Sequence, residues 1–124
     1  MKKLLTLIAV TLISLAASAQ AEIKFDKTTH NFGTFAETQP QTVTFSFTNT
    51  GDKPLIVQQV FTSCGCTVAE YTKTEVKPGE KGTVTATYNG KGQTLGTVRK
   101  VVTVRSNASN SIVRLYIEGN MVKK

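Results

Sequence analysis

The sequence predicts an all-β fold, a single antiparallel β-sandwich of about seven strands preceded by a cleaved signal peptide. Two observations carry this prediction. Apolar residues alternate with polar ones in short runs, and Gly, Pro, Asn and Asp separate those runs at short intervals. Alternation with a period of two is typical of strands that bury one face. Short strands punctuated by turn residues are typical of sandwiches.

The first 19 residues have the three-part layout of a secretory signal peptide. Two lysines precede an apolar run over residues 4–17, and Ala17-Ser18-Ala19 forms a small-x-small cleavage site. The run is too short to span a bilayer comfortably, so a cleaved leader is favoured over a retained anchor. We therefore expect a mature domain over residues 20–124 that is periplasmic or secreted and has no transmembrane segment.

The mature domain carries a moderate positive charge. Two of the 15 Lys and Arg residues lie in the leader, so 13 basic residues remain against 8 acidic ones, a net charge of +5. The basic residues are spread along the chain without interleaved aromatic side chains, which argues against nucleic-acid binding. About a hundred residues are enough for one domain with its own core.

The predicted strands follow one another through the whole mature domain. The segments with the strongest strand pattern are residues 22–25, 30–35, 42–48, 55–62, 68–71, 83–88, 97–105 and 111–122. Val43, Phe45 and Phe47 give the cleanest alternation, and residues 107–111 form a hairpin loop. A chain of this pattern fits an immunoglobulin-like sandwich.

Two positions depart from simple alternation. Leu55, Ile56 and Val57 are consecutive apolar residues, which predicts that their strand is buried on both faces at its start. Lys100 interrupts the apolar positions of its strand. Either a bulge or an exposed sheet edge at Lys100 would explain the interruption.

The only two cysteines, Cys64 and Cys66, are separated by Gly65. Cysteines of exported proteins usually form disulfides, but a bridge across one residue closes a very small loop and constrains the unfolded chain little. Three interpretations stay open: a local disulfide that shapes a turn, a thiol–disulfide redox pair, or a copper or zinc site. A closed zinc site needs four ligands, and His30 and Met121 are the only other soft candidates.

Arg99, Arg105 and Arg114 share one sheet face if the last two strands pair. The face is then either simply solvated or a docking surface for an acidic partner. The sequence shows no nucleophile accompanied by a base and an orienting carboxylate, so it predicts no catalytic residues and no enzymatic activity.

Six short motifs occur together in this chain. They are His30-Asn31-Phe32-Gly33-Thr34, Asn49-Thr50-Gly51-Asp52-Lys53-Pro54-Leu55, Ser63-Cys64-Gly65-Cys66-Thr67, Lys77-Pro78-Gly79-Glu80-Lys81-Gly82, Val104-Arg105-Ser106-Asn107 and Ile117-Glu118-Gly119. In these motifs the chain resembles the exported bacterial family catalogued as domain of unknown function 1573, which is similar to the immunoglobulin-like domains of hydin and the major sperm protein. The resemblance implies the sandwich and export, and it implies no established activity.

These observations predict an exported, non-enzymatic module of the cell envelope that binds a protein or glycan partner. No cofactor is expected. The alternative function is thiol redox chemistry or the handling of copper or zinc through Cys64 and Cys66.

Overall fold

The computed structural model describes residues 19–123, and within that range it contains eight strands and no helix. The strands are β1 (Ile23–Phe25), β2 (Thr29–Ala36), β3 (Gln41–Asn49), β4 (Val57–Thr62), β5 (Thr67–Tyr71), β6 (Lys81–Tyr88), β7 (Gly96–Ser106) and β8 (Ile112–Val122). Apart from Ala19, the predicted signal peptide lies outside the described residues.

The strands form two four-stranded sheets that enclose one core. The first sheet has the order β1-β3-β6-β5 and is antiparallel throughout. The second has the order β2-β8-β7-β4, in which only the β2–β8 pair is parallel. The predicted all-β sandwich is confirmed. It has eight strands, one for each of the eight segments with a strand pattern, against an expected count of about seven.

Alternation along the strands decides which side chains enter the core. Phe45 and Phe47 of β3 are fully buried, and they lie in the same core as the fully buried Leu115 and Ile117 of β8 in the opposite sheet. Burying an aliphatic or aromatic side chain of this size stabilises the fold by about 1.5–3 kcal/mol. The sandwich is therefore held by its inward-facing residues and does not depend on the cysteines.

The start of β4 differs from the prediction that it is buried on both faces. Leu55 is fully buried, but Ile56 is 42 % exposed and β4 begins only at Val57. The backbone N–H of Ile56 donates to Oδ1 of Asn107 at 2.8 Å. Leu55 and Val57 on either side of Ile56 are buried, so in an extended chain the Ile56 side chain lies on the opposite face and points to solvent.

There is no bulge at Lys100, the residue that interrupts the apolar positions of its strand. The register between β7 and β8 continues along the full length of both strands, with Lys100 opposite Ile117. β4 ends where Thr62 pairs with Val102. The part of β7 that precedes Val102 therefore has no strand on that side, and the exposed edge is the correct one of the two explanations.

Strand directions place the loops at two ends of the sandwich, which we name the asparagine end and the cysteine end. The asparagine end carries the loops over residues 50–56, 72–80 and 107–111. The cysteine end carries the loops over residues 37–40, 63–66 and 89–95.

Asn49, the last residue of β3, connects the segments of the asparagine end through hydrogen bonds of its side chain, which is fully buried. Its Nδ2 donates to the carbonyl oxygens of Lys53 at 2.7 Å and Val76 at 3.0 Å. Its Oδ1 accepts the backbone N–H groups of Gly51 at 2.9 Å and Glu22 at 3.3 Å. One amide thus satisfies four backbone groups from three segments of the chain, and its own polar atoms are satisfied in return, as those of a buried side chain must be.

Candidate functional site

The two cysteines lie on the turn that carries the chain from β4 in one sheet to β5 in the other. They form a disulfide, with 5.1 Å between the two Cα atoms. This separation lies within the usual range for a bridge, about 4.4–6.8 Å. Both side chains are partly exposed. The bonded state agrees with the first of the three interpretations, a local disulfide that shapes a turn.

Hydrogen bonds fix this turn, residues 63–66, to the strands on both sides. The hydroxyl group of Thr62 lies 3.0 Å from the carbonyl oxygen of Cys64 and 3.1 Å from that of Thr67. The Thr67 N–H donates to the Cys64 carbonyl at 3.1 Å, and the Asn89 N–H donates to the Cys66 carbonyl at 2.8 Å. The turn is therefore held by backbone contacts in addition to its disulfide.

The other soft candidates do not join the cysteines. His30 lies on β2 opposite Ile117, where Lys27 Nζ is 2.8 Å from its Nδ1. Burial, followed by the positive charge of Lys27, lowers the pKa of His30 below its usual 6.5. Met121 is 1 % exposed and belongs to the core. In the part of the chain that the structure describes, no three His, Cys, Asp or Glu side chains gather as a potential metal site.

The three arginines lie on the outer face of the second sheet. Arg99 and Arg105 are six residues apart on β7, and Arg114 of β8 is opposite Thr103. Arg99 pairs with Glu118, with 3.1 Å between Nε and Oε2. The guanidinium carbon Cζ of Arg99 lies 4.5 Å from the ring centre of Tyr116. Six residues of strand span about 20 Å at roughly 3.3 Å per residue. Arg105 and Arg114 are diagonal neighbours on this face, whereas Arg99 lies farther along it. The docking role of the three arginines stays a prediction.

A cavity of about 330 Å³ at the cysteine end was not anticipated as a site. It is lined by Tyr88, Gln93, Thr94 and residues 97–100. The interruption of the apolar pattern at Lys100 was the one signal in the sequence that could have indicated it. The cavity itself could not be foreseen, because it depends on where β4 stops along β7.

The family comparison agrees with the motifs of the sequence. The model of the DUF1573 family, described as a protein of unknown function, matches residues 23–121, so the chain belongs to this family. No curated protein matches the sequence. Among residues 19–123 there is no helix of the length and apolar character needed to cross a membrane.

Solved structures with a similar fold come from distant proteins. A protein of unknown function from Porphyromonas gingivalis W83 superposes with a TM-score of 0.71 at 16 % identity, over 84 % of this chain and 48 % of that one. This chain thus spans about half of that protein's length. The ASH/PapD-like domain 7 of human CEP192 gives a TM-score of 0.66 at 11 % identity, over 86 % and 88 % of the two chains. The periplasmic chaperone SfaE gives 0.57 at 14 %, over 82 % and 58 %. These similarities define the fold as a PapD-like, immunoglobulin-like sandwich.

Proposed function

We propose that this chain is an exported, non-enzymatic module of the cell envelope, periplasmic or secreted, that binds a partner protein through its cysteine end. The observation that carries the proposal is a pair of exposed apolar side chains on either side of the disulfide turn. Phe61 of β4 is 45 % exposed and Val68 of β5 is 63 % exposed.

The surroundings of these two side chains suit protein binding. β4 and β5 are edge strands of the two sheets, so each has backbone groups that lack a neighbouring strand on one side. Exposed apolar side chains provide contact area, and a free strand edge accepts an additional strand through main-chain hydrogen bonds. The disulfide between them holds the turn in one conformation, which reduces the entropy lost on binding.

Two further observations support parts of this proposal. A similar fold occurs in SfaE, which is named a periplasmic chaperone, and this favours a protein over a glycan as the partner. The bonded state of Cys64 and Cys66 is typical of proteins that fold in an oxidising compartment. It supports export to the periplasm or beyond.

An affinity capture from envelope extract tests the proposal. The chain over residues 20–124, with its disulfide intact, is immobilised beside the variants Phe61→Ser, Val68→Ser and Ile112→Ser. Ile112 is 44 % exposed but lies toward the asparagine end, so it is the matched control. We expect a protein that is retained by wild type and Ile112→Ser and reduced by the other two variants. Equal retention by all four chains, or none by wild type, would contradict the proposal.

The second candidate function is thiol redox chemistry or copper or zinc handling by Cys64 and Cys66. It is favoured by the partial exposure of both sulfur-bearing side chains on a loop, where a thiol reagent has access. Equilibration with glutathione measures the reduction potential, and a value below about −300 mV indicates an inert structural bridge. Copper(I) binding by the reduced chain that persists in the Cys64→Ser/Cys66→Ser variant would exclude the cysteine site.

A further inference from the structure

The exposed edge of β7 forms one wall of the cavity at the cysteine end. Residues 97–100, which we name the open edge, are four consecutive residues that all line this cavity. Successive side chains of a strand point to opposite faces. Four lining residues in a row therefore show that the cavity lies against the edge of the strand. β4 would occupy this position if it continued past Thr62, but the chain turns away there.

The open edge offers hydrogen-bond donors that are not used within the domain. Among residues 19–123, the backbone groups of residues 97–100 form hydrogen bonds to no element other than β8. The chain thus leaves one row of N–H and C=O groups available, as edge strands do.

Lys100 adds a positive charge to the cavity. It occupies the inward-facing row of β7 together with Val98 and Val102, and it is half-buried. No ion pair of Lys100 is found in the described part of the chain, where the only ion pair joins Arg99 to Glu118. Its ammonium group therefore has no anionic partner among residues 19–123, and this position favours an anionic ligand, which would form charge-assisted hydrogen bonds with it.

Tyr88 of β6, in the first sheet, carries a second hydrogen-bond donor and lines the same cavity. It is only 1 % exposed, and over residues 19–123 its hydroxyl group makes no hydrogen bond to another side chain or to the backbone. Burial raises the pKa of Tyr88 above its usual 10.0, so the hydroxyl group keeps its proton and is free to donate it to a ligand. The other polar or charged residues of the lining are Gln93, Thr94, Thr97 and Arg99, and the lining contains no Asp or Glu. Arg99 already pairs with Glu118.

We propose that the open edge binds an extended peptide segment as an added strand, and that an Asp or Glu side chain of this segment accepts hydrogen bonds from Lys100 and Tyr88. The volume of about 330 Å³ lies at the small end of the usual range for ligand sites, roughly 300–1,000 Å³. It suits a short stretch of chain. This inference rests on the proposed function, because it identifies the binding site and the chemistry of the partner at the same end of the domain.

A competing explanation for Lys100 makes the opposite prediction. Inward-pointing charges on open edges also prevent identical chains from pairing edge to edge. If Lys100 serves only that purpose, removing its charge increases self-association and leaves the binding of acidic peptides unchanged or stronger.

Peptide titration separates the two explanations. The probe is a short peptide of alternating threonine and valine with one central glutamate and blocked ends, and its control has glutamine in place of glutamate. The protein is the disulfide-intact domain as wild type, Lys100→Gln or Lys91→Gln. Lys91 is an exposed lysine of the neighbouring loop, so its variant matches the change in charge. Calorimetry gives the affinities, and amide chemical shifts locate the contact.

We expect wild type and Lys91→Gln to bind the glutamate peptide about tenfold more tightly than the glutamine peptide or better. We expect Lys100→Gln to lose this preference, and the amide signals of residues 97–100 to shift. Three results would overturn the inference: no binding of the glutamate peptide to wild type up to roughly 1 mM, an equal preference in Lys100→Gln, or self-association of Lys100→Gln with undiminished peptide binding.

The envelope capture described above distinguishes failure of this inference from failure of the proposed function. If wild type retains no partner, the proposed function fails. If wild type and Lys100→Gln retain the same partner equally, the proposed function stands and the open edge is not its site.

Discussion

Replacing Asn49 by alanine should destabilise this domain more than removing its disulfide. The substitution deletes four hydrogen bonds between one fully buried amide and the backbone of Lys53, Val76, Gly51 and Glu22. The Val76 carbonyl bond is buried and the other three are partly buried, so water replaces only some of them. A buried unsatisfied group costs about 1–3 kcal/mol and an ordinary bond contributes about 0.5–1.5 kcal/mol. We therefore expect a loss of about 3–5 kcal/mol.

Urea unfolding of the oxidised domain, followed by linear extrapolation, measures this loss. Asn120→Ala is the matched control, because Asn120 is exposed on β8 and its side chain makes no hydrogen bond within residues 19–123. Such a surface change should stay within about 0.5 kcal/mol. A loss below about 1 kcal/mol in Asn49→Ala would refute the reasoning, because it would mean that these bonds do not hold the asparagine end.

Three further predictions concern other parts of the domain. A Cβ atom on Gly51 would collide with the backbone of residues 20–22, so Gly51→Ala should lower the free energy of unfolding by about 1–3 kcal/mol; an unchanged thermal midpoint would contradict the close approach. His30 should titrate below 6.5 in an NMR experiment, and Lys27→Gln should raise its pKa toward that value. Because the unfolded chain then binds more protons than the folded one, stability should fall as pH drops from 6.5 through the folded pKa of His30. Replacing both cysteines by serine should cost only about 1–2 kcal/mol, since the closed loop is short; unfolding of the double variant at room temperature would contradict this.

Much of the fold follows from local pattern. The alternation around Phe45 and Phe47 predicts β3 and its buried face, and residues 107–111 form the expected hairpin loop between β7 and β8. The seven other segments with a strand pattern also coincide with strands, although the ends of several differ by a few residues. These features need only the neighbouring residues, so the sequence is sufficient to predict them.

The candidate sites were predicted less completely. The cysteine pair is visible as a motif, and the bonded state is one of three states that its spacing allows. The outer-face positions of Arg99, Arg105 and Arg114 follow from the pairing of β7 with β8. The ion pair of Arg99 with Glu118 required the register between those strands, because a shift of one residue would place the two side chains on opposite faces.

The sequence by itself determined the class of fold, the family, the location of the cysteine turn and the positions of most strands along the chain. Each of these depends on residue type and short-range periodicity. Only the tertiary structure decided the partners of Asn49, the exposure of Ile56 and the open edge beside Lys100. Each of these depends on contacts between segments far apart in the chain. In particular, the length of β4 along β7 decides whether Lys100 faces another strand or a cavity, and only long-range strand pairing fixes that length.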